Sequence, residues 1–408
     1  MNPSKPHVDL VWLSKSSTPP VWPIGSVITC QANPEAFSAV LEKHLPATKA
    51  DAWLFWDPLQ GPPPIARLNS LLEGPADLWH AGLKLGLDGQ PPLLDHILPT
   101  WMLNRDPNPA IVATSWRLSL RACLVRTAVL KQMGGPDPGF DTLEGAGLSW
   151  GFQLVRKGVF TRHVPDLLSA QIELGLHQPT SLDQWRFICR NFDRRWVYWA
   201  VFRSVLQGRL DGLKALQLLR GDHACHRSRR IQAYQRPQRK TAVDKLKSRV
   251  SVLIPTLKRY PYLRTVLDQL RLQTLPPYEI LVVDQTPSAL RDPNLITDFA
   301  DLPLRTFMMD EPGQCSSRNL GLKAAKGDFI LFIDDDDEIP PNLIAQHLAA
   351  LDVQGVQVSN GVAEEVGAGE LPADFRINRI STVFPTNNTM IRKAILHKSG
   401  LFDLAYDH

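Results

Sequence analysis

The 408-residue chain is 44% hydrophobic and 21% charged, with a formal net charge of +4. This is an ordinary globular composition, which excludes a disordered or fibrous chain and by length predicts about two domains. No window approaches the ~18 uninterrupted apolar residues that a bilayer-spanning helix needs, and the opening MNPSKPHVDLVWLS has no apolar stretch of the secretory-signal kind.

In chain order, DAWLFWDPLQ (51–60) predicts a strand ending at the single Asp57. RACLV (121–125) predicts another, leading into RTAVLKQMGGPDPGFD from Arg126 and then a helix over TLEGAGLSWGFQLVRKG. Residues 180–235 read as helices. Trp185, Ile188, Phe192, Trp196 and Trp199 recur at steps of three and four and outline one apolar face. Such a face packs on a neighbouring domain or docks at a membrane surface. Between 220 and 249, ten basic residues are opposed only by Asp222 and Asp244. This stretch reads as a solvated linker, and its fair candidate partner is an anionic membrane surface. Nucleic acid is not expected, because no aromatic interleaving accompanies the charge. Five scattered cysteines (Cys30, Cys123, Cys189, Cys225 and Cys315) show no CxxC spacing, a usage that suits buried thiols and a cytoplasmic protein.

From residue 250 the pattern is regular. VSVLIP (250–255) predicts a buried strand, followed by a helix with Leu263, Val266, Leu267 and Leu270 at i, i+3, i+4, i+7. TLPPYEILVVD predicts a strand ending at Asp284, SSRNLGLKAAKG a helix, and FILFI a further strand. Strand–helix–strand alternation with continuous apolar strands predicts a mainly parallel sheet with helices on both faces. Ligands of such sheets bind outside the carboxyl ends of the strands. Thr256, Asp284 and Asp334 all sit at or just after such an end, which predicts that they converge.

The run FILFIDDDDEIPP (329–341) delivers four aspartates and a glutamate to one strand end. Carboxylates this close repel and raise one another's pKa unless something positive lies among them. A solvated acidic turn is one reading; a divalent cation held by the cluster is the other, and the convergence of strand ends favours it.

Two segments match at a constant offset: RTAVLKQMGGPDPGFD from Arg126 and RKAILHKSGLFDLAYD from Arg392. The offset pairs Leu130 with Leu396, Gly134 with Gly400, Asp137 with Asp403 and Asp141 with Asp407. The chain therefore reads as two copies of one fold, the first with Asp57 alone where the second has its acidic cluster.

Residues 250–408 resemble the nucleotide-binding part of a family 2 glycosyltransferase of the GT-A fold, through SVLIPTLKR, QTLPPYEILVVD, GQCSSRNLGLKAAKGDFILFIDDDDEIPP and TMIRKAILHKSGLFD. Residues 1–165 resemble the same fold chiefly through CLVRTAVLKQMGGPDPGFD. The resemblance implies an α/β, Rossmann-like nucleotide-diphospho-sugar transferase fold in two tandem copies. These are a degenerate copy at 1–165, a helical basic linker at 166–249 and the transferase domain at 250–408. It implies that Pro255 and Thr256 lie beside the nucleotide and that Asp284 accepts a hydrogen bond from the base. Arg318 would lie near the nucleotide, and Asp334 and Asp335 near ribose and phosphates. Asp334 and Asp336, the DxD pair, would hold Mn²⁺ or Mg²⁺.

The implied activity is metal-dependent, inverting transfer from a nucleotide-sugar, a UDP-sugar being favoured, to a hydroxyl of a glycan or lipid-linked acceptor. Surface polysaccharide or lipopolysaccharide assembly at the inner face of a membrane is the implied setting. The general base is expected in an acidic motif beyond His408; at the corresponding place the first copy keeps Glu144 and has glycines at the other acidic positions. The chain is accordingly expected to be a fragment or an inactive truncation. The alternative is a non-catalytic protein that binds a glycan or a partner. Nucleotidyl transfer would want a glycine-rich loop after the first strand, and IPTLKRYPYL has no glycine.

Overall fold

The computed structural model describes residues 6–81, 112–168, 179–220, 233–237, 248–354, 356–365, 367, 369, 378–381 and 383–407. The chain divides into two compact units, Met1–Pro237 with Leu371–Thr382 and Gln238–Glu370 with Val383–His408.

The first unit is built on a sheet of β1 (Val8–Trp12), β2 (Val27–Thr29), β3 (Ala52–Trp56), β4 (Leu78–His80), β5 (Ala122–Arg126) and β6 (Thr161–His163), in the order β2-β1-β3-β5-β4-β6. VDLVW and AWLFW are buried at every residue, which is why neither alternates polar with apolar. Helices α1 (Pro34–His44), α2 (Ile65–Glu73), α3 (Thr127–Met133) and α4 (Leu143–Arg156) accompany the sheet. Asn33 caps α1, its side chain accepting from Ala36 N with Pro34 in the first turn, and Thr142 caps α4 through Gly145 N.

Helices α5 (Ser181–Asn191), α6 (Arg194–Leu206) and α7 (Gly212–Arg220) follow. Trp185, Ile188, Val197, Ala200, Val201, Leu210 and Ala215 all join the first unit's hydrophobic core. The single apolar face predicted across 185–199 is interrupted. α5 stops at Phe192, whose extended backbone (φ −131°, ψ 167°) resets the helical phase before α6. Trp185 and Ile188 are buried, whereas Trp196 and Trp199 stay about half exposed.

The second unit carries β7 (Val250–Thr256), β8 (Glu279–Asp284), β9 (Leu304–Met308), β10 (Phe329–Phe332), β11 (Val358–Asn360) and β12 (Thr389–Arg392), in the order β11-β12-β10-β7-β8-β9. Its helices are α8 (Tyr260–Arg271), α9 (Leu295–Asp298), α10 (Gln314–Ala324), α11 (Leu343–Gln354) and α12 (Leu396–Ser399). Strand side chains alternate between two cores. Val252, Ile254 and Leu331 pack with Leu263, Val266 and Ile344, and Leu253, Leu281 and Ile330 pack with Leu322. Each fully buried aliphatic side chain contributes about 1.5–3 kcal/mol. The predicted face Leu263, Val266, Leu267 and Leu270 is the buried face of α8.

The two sheets share five strands in one arrangement. In the first, β2, β1 and β3 are parallel, then β5 and β4 follow antiparallel, each to its neighbour. In the second, β8, β7 and β10 are parallel, then β12 and β11 follow in the same way. Arg126 and Arg392 end the equivalent strands β5 and β12. Gly134 and Gly400 close the helices that follow, with φ +74° and +75°, the left-handed backbone for which glycine is the default.

Most of the basic stretch 220–249 lies outside the described residues, as does Cys225. Of its members, Arg236 pairs with buried Asp77 and Arg249 with Asp328. Cys30, Cys123 and Cys189 are buried free thiols; burial pushes Cys30 up to about 11. No helix among the described residues is long and apolar enough to cross a membrane.

Candidate active site

Parallel pairing sets the strand ends of the second sheet side by side. Pro255 and Thr256 lie opposite Val283 and Asp284, and β10 flanks β7 on its other side, with Ile333 N donating to Leu253 O at 3.2 Å. Thr256 Oγ1 donates to Asp335 Oδ2 at 2.7 Å. Asp284 is buried and accepts twice, from Tyr260 OH at 2.5 Å and from Thr286 N at 2.9 Å. Pro255, Thr256, Asp284 and the Asp334–Asp337 run therefore gather at the carboxyl edge of β8-β7-β10.

The turn after β7 brings two further side chains into this group. Lys258 has φ +60°, alone among the described non-glycine residues in being positive, and its N–H donates to Thr286 Oγ1 at 2.8 Å. A left-handed non-glycine residue stores about 1–2 kcal/mol of strain, and such strain clusters at functional sites. It turns the chain so that Arg259 and Tyr260 face the carboxylates. Sequence reading missed both residues; the available signal was a basic residue just past the first strand end.

The positive charge demanded by the aspartate run is supplied by two arginines. Arg318 Nη2 donates to Asp334 Oδ1 at 2.9 Å, and Arg259 Nη1 donates to Asp336 Oδ2 at 2.6 Å and reaches Asp335 Oδ1 at 3.4 Å. Asp337 turns back to accept from Asp334 N at 2.8 Å. Burial raises the Asp335 carboxyl above its ordinary value, with the charges of Asp336 and Asp334 adding to it; the Thr256 hydrogen bond and Arg259 oppose. Burial, with the charges of Asp334 and Asp336 adding, pushes Asp337 up to about 6. Arg318 Nε is buried without a hydrogen-bond partner, a donor left over beside the aspartate run.

Among the described residues no three His, Cys, Asp or Glu side chains converge as a cation site. Asp334 and Asp336 offer oxygen donors only, the set that suits Mg²⁺ or Mn²⁺. Mg²⁺ is usually bound through one or two carboxylates, completed by phosphate oxygens and water. The residues fit such an ion in the company of a diphosphate and not as a closed protein cage.

The equivalent place in the first unit is different. Asp57, just past β3, accepts from Arg121 Nη1 at 2.6 Å, and Arg121 Nε donates to Glu144 Oε1 at 2.7 Å. Burial works against this guanidinium's charge, but Glu144 and Asp57 together raise its pKa. Glu144 opens α4, whose glycines allow close packing: a Cβ at Gly151 would stand 2.1 Å from Trp116 O, and one at Gly147 2.5 Å from Leu118 O.

Polar groups gathered at the carboxyl ends of parallel strands lie where open α/β sheets bind their ligands. Residues 251–400, the stretch that holds β7 to β12, match the family model of Glycosyl transferase family 2. Two Bacillus subtilis proteins named as glycosyltransferases are similar to the chain. YwdF is 27% identical over 168 residues, covering 38% of this chain and 62% of YwdF. EpsH is 35% identical over 124 residues, covering 30% of this chain and 36% of EpsH. The crystal structure of S. aureus TarS 1-349 in complex with UDP-GlcNAc aligns at 24% identity with a TM-score of 0.34, over 38% of this chain and 48% of that one. The chain thus spans under two thirds of the length of the curated relatives it matches.

Proposed function

We propose that the protein transfers a sugar from a nucleotide-diphospho-sugar to an acceptor hydroxyl with inversion at the anomeric carbon. The observation that carries this is the gathering of Thr256, Asp284 and Asp334–Asp337 with Arg259 and Arg318 at adjoining parallel strand ends, in a domain of the matching family. Pro255 and Thr256 flank the nucleotide. Asp284, fixed by Tyr260 and Thr286, keeps lone pairs for a ring N–H of the base. Asp335 lies toward the ribose and phosphates, and Arg318 neutralises phosphate charge. Asp334 and Asp336 would hold Mn²⁺ or Mg²⁺, which when bound offsets the charge growing on the leaving diphosphate. The acceptor oxygen bonds to the anomeric carbon as the bond to the diphosphate breaks. The electron pair leaves with the nucleoside diphosphate and the hydroxyl proton goes to a carboxylate base.

A UDP-sugar donor, a glycan or lipid-linked acceptor and a place in surface polysaccharide or lipopolysaccharide synthesis are part of this reading. So are a cytoplasmic location and peripheral membrane contact through the basic stretch 220–249. Isothermal titration of UDP with and without Mn²⁺ tests it. Binding should tighten with the ion, and Asp336→Ala should abolish that gain; equal affinity in all cases would remove the metal role of Asp336.

The Arg121 pairing with Asp57 and Glu144 favours a second reading for the first unit alone: a non-catalytic module, its charges satisfied internally, that holds a glycan or a partner.

A further inference from the structure

Helix α6 (RRWVYWAVFRSVL) carries large apolar side chains on opposite sides, yet only one side of it is buried. Val197, Ala200 and Val201 enter the core, while Tyr198, Trp199, Phe202 and Leu206 on the opposite side are exposed, Phe202 by 56%. α7 repeats the pattern: Ala215 is buried and Leu213 and Leu216 are exposed, Leu213 by 72%. Contiguous exposed apolar surface of this kind marks an interaction site.

The charge of the segment that carries the face selects its occupant. From 193 to 220 there are six basic residues (Arg194, Arg195, Arg203, Arg209, Lys214 and Arg220) against Asp193 and Asp211. Arg203 lies over the Trp199 ring at 5.6 Å, and Trp199 leans on Phe202 with ring centroids 6.5 Å apart. Tryptophan and tyrosine prefer the boundary between water and acyl chains. Arginine beside them can sink its stem while its head stays among phosphates. The face of a second protein would lack a reason for this one-signed excess; an anionic bilayer supplies both the apolar depth and the negative charge.

We propose that the outward face of α6 and α7 docks in the plane of an anionic phospholipid bilayer. This stands apart from the transferase reading, because it rests on residues of the first unit that take no part in the strand-end site. The full chain is sedimented with vesicles of phosphatidylcholine alone and with vesicles in which phosphatidylglycerol replaces part of it. Binding to the anionic vesicles is expected and should weaken with salt. Trp199→Ser with Phe202→Ser should lower the partition at least about tenfold by removing buried aromatic area. Arg195→Glu should weaken the preference for phosphatidylglycerol severalfold while leaving the aromatic residues in place. These side chains are exposed, so the variants should melt with the wild type. Failure of the folded wild type to sediment with anionic vesicles, or undiminished sedimentation of the double serine variant, overturns the proposal. A dimer in solution that the serine substitutions dissolve, without vesicle binding, would assign the face to a second copy and overturn it equally. Loss of vesicle binding with UDP titration unchanged separates this result from any failure of the proposed catalysis.

Discussion

The two units place a carboxylate at the end of the same central strand and satisfy it in opposite ways. In the first, Asp57 and Glu144 share one arginine, Arg121, inside a nearly closed pocket, the side chains being 5%, 10% and 17% exposed. In the second, four aspartates meet Arg259 and Arg318 at a rim where Asp336 and Arg259 remain about half exposed. One arrangement is complete as it stands. The other has carboxylates in excess of the guanidinium groups beside them, which is the condition under which an added cation lowers the energy. The same strand order thus holds a sealed salt bridge in one copy and an open, strained rim in the other.

Breaking the sealed site should have the largest effect. Arg121→Met leaves two carboxylates with little access to water and no counter-charge, which costs about 3–5 kcal/mol. Adding Asp57→Asn and Glu144→Gln to the same chain should recover most of that loss. Urea unfolding followed by circular dichroism measures both, and a loss below about 1 kcal/mol for the single variant would show the pocket to be wetter than its burial implies. UDP titration by the second unit should not change.

Next in size is a glycine comparison. A methyl at Gly151 meets the Trp116 carbonyl oxygen at 2.1 Å, and backbone cannot rotate away; a methyl at Gly321 meets the Leu253 side chain at the same distance, and a side chain can. Gly151→Ala should cost about 3 kcal/mol, the upper end for overpacking. Gly321→Ala should cost less, because Leu253 can move aside. The order of the two urea midpoints is the test.

Acid should weaken the first unit by about 2 kcal/mol between pH 7 and pH 5. Buried His80 has its pKa lowered to about 3, first by desolvation and then by the charge of His163. The unfolded chain takes up this proton near pH 6.5 and the folded chain does not, so stability falls as the pH drops below that value. His80→Asn should flatten the dependence. His347 in the second unit is lowered by burial in the same sense, but its bonds to Asn388 and Ser359 oppose the shift, so the second unit should respond less.

How much of this was legible in the sequence depended on how local each cause was. Continuous apolar runs such as FILFI and EILVVD become buried parallel strands, because nothing but burial on both faces explains them. Four aspartates at a strand end announce an electrostatic problem in the run itself. Its protein partners were hidden. Arg259 reaches the cluster only because Lys258 adopts a left-handed conformation, and Arg121 lies 64 residues from the Asp57 it neutralises. Nor does the run EGAG show that Gly147, with Gly151 further on, is where α4 touches the backbone of 116–118, or that Gly145 faces the Asp183 side chain. The break between α5 and α6 was invisible because Phe192 fits the helical repeat on paper while its backbone leaves it.

The smallest stability effect belongs to Arg259→Ala. The ion pair with Asp336 is half exposed on both sides, and such pairs are worth about 0.2–1 kcal/mol, so the melting transition should barely move. Binding should move more. Arg259 occupies Asp336 Oδ2 at 2.6 Å, the same carboxylate proposed to face a divalent ion, and a guanidinium and a cation compete for it. Removing the guanidinium should therefore tighten the binding of Mn²⁺ alone, read by titration without nucleotide. Weaker Mn²⁺ binding would instead mean that Arg259 holds the aspartates in the geometry the ion requires. Either shift, set beside the same titration of Arg121→Met, measures how far an arginine stands in for a metal at this strand end.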